Sequence, residues 1–231
     1  MERQLNPGPA EVGKCSRLYT IFDIAQPAEA VDLAALRQIF EAIVDGGARM
    51  IQVRAKNLSA AQLLPIAQDF VMRARRAGAQ VFINTHVEVA RHSGADGVHR
   101  PARGAPVSEL RRGGARRVGV STHSLREAIE AEKQGADFVL FSPIFASASK
   151  PGYGPALGLS GLREVCGAVD IPVYALAGIT PENARDCLAA GAFGVAVMGG
   201  IMGAIDPAEA TRRYLQELRA LERANTPPGQ I

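Results

Sequence analysis

Eight short apolar runs recur along the chain, separated by stretches whose apolar residues fall at helical spacing. The runs cover residues 18–22, 50–54, 80–84, 97–99, 117–121, 138–142, 173–176 and 193–198. Each is short and bounded by polar or glycine residues, as buried strands are. After the first run, Leu36, Ile39, Phe40 and Ile43 share one face of a helix over 33–44, which Gly46-Gly47 ends. Ser59 can cap a helix through residue 77, with Leu63, Ile66, Phe70 and Val71 on its buried side. Further helices are expected over 87–92, 162–169, 181–190 and 207–223, and from the S-x-x-E capping box at Ser124–Glu127 to about residue 134. Eight strand–helix alternations predict a single (β/α)8 TIM barrel over residues 17–225. A doubly wound open sheet is the alternative, weakened by the lack of a G-x-G-x-x-G after the first run. Residues 1–16 and 226–231 read as flexible ends.

Parallel strands in a barrel bring their C-terminal ends to one rim, so the residues ending each run would line one site. Gln52, Arg54 and Lys56 alternate, and period two puts them on one side, facing the barrel mouth. Asn84, Ser121 and Ser142 end other runs, and His123 follows the fifth directly, where an imidazole can act as general acid or base. His99 is equally open to a structural or a chemical reading; His86 and His92 read as helix-surface residues. The long segment after the sixth run carries Ser147, Ser149 and Lys150, hydroxyls beside a cation, suited to an anion. Gly178 and Gly199-Gly200 follow the last two runs, where barrels often hold a phosphate against backbone N–H groups.

Composition narrows the partners. The chain has 231 residues, 47% of them hydrophobic, which suits one domain. A net charge of +3, no Trp and few aromatics give no case for nucleic acid. No apolar run is long enough to span a membrane, and the start lacks a secretory apolar core. Cys15, Cys166 and Cys187 have no metal-ligand spacing and read as reduced thiols of a cytoplasmic protein. No H-x-x-H or carboxylate cluster points to a transition metal. The sequence leaves a homo-oligomer open.

Several ordered motifs together resemble the thiamine phosphate synthase family, which includes the thiazole tautomerases (TenI-like). Gln52-Val53-Arg54-Ala55-Lys56 resembles its Q-x-R-x-K, and Ile83-Asn84 its I-N-D. Gly97-Val98-His99, Ser121-Thr122-His123, the segment from Ala136 to Lys150, Ala175–Thr180 and Gly194–Met198 also match, so the resemblance runs from about Leu18 to Tyr214. It implies a barrel that makes thiamin, with pyrophosphate contacts at Gln52, Arg54, Lys56, Asn84, Ser121 and Lys150. Thiazole phosphate contacts would fall at Ser147, Ser149, Gly178, Gly199 and the adjoining Gly200. His123 and Lys150 are the catalytic candidates.

The departures bear on which reaction is run. Thr85 stands where the family has a magnesium-binding aspartate, and residues 99–106 contain no carboxylate where a second is usual. A synthase joining hydroxymethylpyrimidine pyrophosphate to thiazole phosphate would be expected to use Mg2+, which is normally held by one or two carboxylates. A tautomerase acting on thiazole phosphate carboxylate needs a proton donor and acceptor and no cofactor. The missing aspartates rank the tautomerase first, the synthase second and a non-catalytic phosphate-ligand binder third.

Overall fold

The computed structural model describes residues 15–146 and 155–224. Eight parallel strands pair in sequence order and close into a barrel, β1 meeting β8. The strands are β1 Leu18–Asp23, β2 Met50–Arg54, β3 Gln80–Asn84, β4 Gly97–Arg100, β5 Val118–Thr122, β6 Phe138–Phe141, β7 Val173–Leu176 and β8 Gly194–Val197. Around them run α1 Leu33–Asp45, α2 Ala60–Arg76, α3 Val87–Ser93, α4 Val107–Arg112, α5 Leu125–Lys133, α6 Gly158–Ala168, α7 Pro181–Ala189, the single turn α8 Gly199–Met202, and α9 Pro207–Ala224. No helix among the described residues is long and apolar enough to cross a membrane.

The strands are buried on both faces because each face packs against something different. Ile51 and Val53 of β2, Val81 and Ile83 of β3, and Val118 and Val120 of β5 point outward into the core shared with the helices. On α1, Leu36, Phe40, Ile43 and Val44 are buried against that surface. Four such side chains contribute on the order of 6–12 kcal/mol of transfer free energy. Phe40 stacks on Phe70 of α2 at 4.2 Å, and Phe22 of β1 meets both rings edge-on.

The opposite parity fills the barrel. Tyr19, Met50, Phe82, Phe138 and Tyr174 form an inner apolar cluster with Ile21, Leu140 and Ala196. The rings meet edge-on, Tyr19 with Phe138 at 5.4 Å and Phe82 with Phe138 at 5.3 Å. Below them the Arg117 guanidinium lies 5.3 Å from the Phe82 ring centroid. The barrel is therefore a plug of aromatic rings below and a polar floor above.

Local signals set the element boundaries. Ser59 and Gln62 form a reciprocal capping box on α2, and Thr180 with Asn183 does the same on α7, where Pro181 occupies the first turn. At α5 the expected box is altered. Ser124 accepts from the Glu127 amide at 3.2 Å, but the Glu127 carboxylate accepts from the His123 amide, one residue before the cap. Helix α6 starts four residues before its expected position. Helix α4 was not expected: it buries only Val107 and Leu110 and has no side-chain cap, so its periodic signal is too short to read.

The described residues begin within the stretch 1–16 that was expected to be a flexible start. The Arg117 guanidinium donates to Cys15 Sγ at 2.8 Å and the Tyr174 hydroxyl to the Ser16 carbonyl at 2.7 Å, tying both residues to the barrel. Residues 1–14 and the tail 226–231 lie outside the described residues.

Candidate active site

The C-terminal ends of the strands surround one cavity of about 1220 Å³. Gln52, Arg54 and Lys56 line one side, and Asn84, Ser121 and His123 continue the wall. Gly178, Gly199 and Gly200 stand on the side formed by β7 and β8. The structure thus brings together nine of the residues singled out from the sequence. Ser147, Ser149 and Lys150 lie outside the described residues.

Strand pairing explains the cationic wall. Asp23 and Arg54 are register partners at the ends of β1 and β2. Their side chains form an ion pair, Arg54 Nη1 to Asp23 Oδ1 at 2.5 Å, with both side chains largely covered. Asp23 thereby fixes the guanidinium at the cavity edge. A charged residue ending the first apolar run was a visible signal, but the sequence alone did not show that it would face Arg54.

Gln52 is buried in the floor, its amide nitrogen donating to the Tyr19 hydroxyl at 3.3 Å. His99 is buried beside it, with Nε2 2.9 Å from Ser121 Oγ and Nδ1 3.4 Å from the Tyr19 hydroxyl. Burial, and secondarily the Arg100 guanidinium, pushes the His99 pKa down to about 3. This imidazole is therefore neutral at ordinary pH and cannot serve there as a general acid.

His123 differs. Its Nδ1 lies 2.8 Å from the Ser142 carbonyl oxygen. A carbonyl only accepts, so Nδ1 carries a proton; in the neutral imidazole the lone pair is then on Nε2. His86 departs from its expected helix-surface position: it is the N-cap residue of α3 and lines the cavity. His92 lies on the exposed side of α3, near Glu88.

Two cavity residues have strained backbones. Thr85 has φ 69° and Ala177 φ 81°. Left-handed conformations are unusual for alanine and genuine outliers for a β-branched threonine. Thr85 is held by its backbone N–H, which donates to the His99 carbonyl at 2.9 Å, and by Asn84, whose Nδ2 donates to Thr85 Oγ1 at 2.9 Å. Such strain clusters at ligand sites.

The glycine side is tightly built. Gly178 has φ +65°, and an added Cβ would lie 2.5 Å from the Ala146 carbonyl oxygen and 2.6 Å from Phe145 Cβ. The Tyr214 hydroxyl, which donates to the Ile179 carbonyl at 2.9 Å, leaves no room for a Cβ at Gly200. Above Gly199 the space is open, with nothing within 4 Å of an added Cβ.

A family profile described as thiamine monophosphate synthase matches residues 18–201. The chain belongs to the thiamine monophosphate synthase family. The thiamine-phosphate synthase of Chloroflexus aurantiacus is 40% identical over 186 residues, covering 80% of this chain and 84% of that one. That of Roseiflexus castenholzii is 38% identical over 209 residues, covering 90% of each. Among solved structures, the thiamine phosphate pyrophosphorylase of Pyrococcus furiosus superposes with a TM-score of 0.77 at 30% identity, covering 89% of this chain and 96% of the other. A 3-hexulose-6-phosphate synthase matches at a TM-score of 0.62 and 19% identity, a likeness of fold alone.

Magnesium does not fit the donor set that this family member presents. Among the described residues lining the cavity there is no aspartate or glutamate, whereas Arg54, Lys56 and Arg103 are all present. The nearby Asp23 carboxylate is engaged by Arg54. No group of three or more His, Cys, Asp or Glu close enough to share a metal occurs among the described residues. Mg2+ is normally held by one or two carboxylates beside the substrate phosphates, and these side chains supply no such carboxylate.

Proposed function

We propose that the chain is a thiamine phosphate synthase that joins hydroxymethylpyrimidine pyrophosphate to thiazole phosphate. The observation that carries this reading is one cavity with two kinds of anion subsite: Arg54, Lys56, Asn84 and Ser121 on one side, and the Gly178 and Gly199–Gly200 turns on the other. Its volume of about 1220 Å³ exceeds the roughly 300–1,000 Å³ usual for one ligand, as a two-substrate site would require. Relatives named thiamine-phosphate synthase at about 40% identity move this reading ahead of the tautomerase that the missing aspartates favoured.

In this reading the bond between the pyrimidine methylene carbon and the pyrophosphate oxygen breaks, and its electron pair leaves with pyrophosphate. The thiazole nitrogen lone pair then forms the new C–N bond, and the positive charge ends on the thiazolium ring. Arg54 and Lys56 receive the charge growing on the leaving group, as fixed cations at a developing anion do. Gln52, Asn84 and Ser121 complete the contacts to the pyrophosphate, and the glycine turns present backbone N–H groups to the thiazole phosphate. Lys150 would join the leaving-group cations; Ser147 and Ser149 would join the thiazole phosphate contacts.

The second reading, a thiazole tautomerase, draws on the carboxylate-free lining and on His123, an imidazole on the cavity wall whose Nδ1 is held by the Ser142 carbonyl. One set of assays separates them. The purified chain is given the pyrimidine pyrophosphate and thiazole phosphate, with Mg2+ or with EDTA, and separately the thiazole phosphate carboxylate tautomer alone. Thiamine phosphate formation supports the synthase. Isomerisation of the tautomer without thiamine phosphate formation refutes it and supports the tautomerase, in which His123→Asn would abolish turnover. Binding of both ligands with neither reaction leaves a phosphate-ligand binder.

A further inference from the structure

Beneath the cavity, four polar side chains form one chain of hydrogen bonds across the barrel. Gln52 Nε2 donates to the Tyr19 hydroxyl at 3.3 Å, the same hydroxyl lies 3.4 Å from His99 Nδ1, and His99 Nε2 lies 2.9 Å from Ser121 Oγ. Tyr19, His99 and Gln52 are 0%, 1% and 2% exposed. Gln52, His99 and Ser121 touch the cavity, whereas Tyr19 is not among its lining residues. Phe82, Phe138 and Tyr174 pack around the Tyr19 ring, which is fully buried.

Donor and acceptor rules give the chain a direction. The Tyr19 oxygen accepts from Gln52, so its own proton points to the next polar partner, His99 Nδ1. That nitrogen must then be bare. His99 is kept neutral by burial, with its pKa pushed down to about 3, so its single proton sits on Nε2. Nε2–H donates to Ser121 Oγ, and the Ser121 proton is left to point at the cavity. We propose that Tyr19 and His99 are positioning residues that lock the Ser121 hydroxyl as a hydrogen-bond donor to an anionic ligand. Reversing the Gln52 amide would reverse every bond. Ser121 would then donate to His99 and turn only lone pairs toward the ligand, which repels an anion.

The identity of the ligand rests on the synthase reading; the direction of the chain rests on the hydrogen bonds alone. The test therefore has two readouts on the full-length protein. Long-range proton–nitrogen correlation spectra of histidine labelled with nitrogen-15 report the His99 tautomer, assigned by the signal lost in His99→Gln. A bare Nδ1 with protonated Nε2 is expected in the parent; a protonated Nδ1 overturns the proposal whatever the activity. Titration with inorganic pyrophosphate supplies the second readout. Ser121→Ala is expected to weaken binding about tenfold, the value of one hydrogen bond to a charged group. Tyr19→Phe is expected to weaken it several-fold and to shift the His99 tautomer. Tyr19→Phe should weaken binding less in the Ser121→Ala background than in the parent, because part of the Tyr19 effect passes through Ser121; fully additive losses overturn the proposal. A parent that does not bind pyrophosphate refutes the synthase reading, and the tautomer spectrum then decides the hydrogen-bond chain by itself.

Discussion

Replacing Gly178 with alanine tests how the β7 turn is built. At φ +65° an alanine costs about 1–2 kcal/mol for the left-handed conformation. Its Cβ would also lie 2.5 Å from the Ala146 carbonyl oxygen and 2.6 Å from Phe145 Cβ. Backbone is not a flexible neighbour: Ile144 and Phe145 are bonded through their amides to the Leu176 and Ala177 carbonyls at 3.0 and 3.1 Å. Overpacking of this kind adds about 1–3 kcal/mol. The sum, about 2–5 kcal/mol, corresponds to a melting temperature lower by at least about 4 °C in a domain of this size. Gly199→Ala is the control, since its Cβ meets nothing within 4 Å and its backbone is not left-handed. That variant should melt within about 1 °C of the parent, yet bind thiazole phosphate more weakly, because the methyl enters the space a phosphate would occupy. Calorimetry of both variants, with ligand titration, checks the pair. Equal melting temperatures for Gly178→Ala and the parent would refute the steric reasoning.

Thr85→Asn should raise the melting temperature by about 2–4 °C, because asparagine tolerates φ near 69° better than a β-branched residue; an unchanged or lower value counts against the strain at this turn. Protonation of His99 in the unfolded chain should destabilise the fold in acid. Its folded pKa of about 3 lies below the ordinary 6.5, so this contribution is complete above pH 6.5 and is lost as pH falls toward 3. Urea unfolding at about pH 7 and about pH 5 should show an excess loss of about 2 kcal/mol relative to His99→Gln; equal losses would show that His99 does not titrate as its burial requires. Calorimetric titration with Mg2+ alone should give no heat of binding, and saturable binding would overturn the donor-set argument.

Much of the barrel was legible because its signals are local. Period-two alternation placed Gln52 and Arg54 inward and Ile51 and Val53 outward, and caps such as Ser59 and Pro181 marked where helices begin. Strand order followed from the short right-handed connections that parallel strands require. Gly178 and Gly199–Gly200 were readable as close-approach turns because glycine has a distinct conformational meaning. The resemblance in Q-x-R-x-K and the strand-end motifs supplied the family, and the absence of carboxylates at Thr85 and over residues 99–106 was plain from the letters.

What the sequence could not show is contact between side chains far apart in the chain. Tyr19 looked like one more apolar strand residue; closure of the barrel puts its hydroxyl between Gln52 and His99, which lie 33 and 80 positions away. Asp23 and Arg54 became an ion pair only when β1 and β2 adopted their register. The two readings of His99 were separated by burial, which depends on every strand around it, whereas His123 owes its tautomer to one carbonyl on the next strand's loop. Periodicity is encoded residue by residue along the chain; protonation state and pairing depend on distances across the barrel, which exist only after it closes.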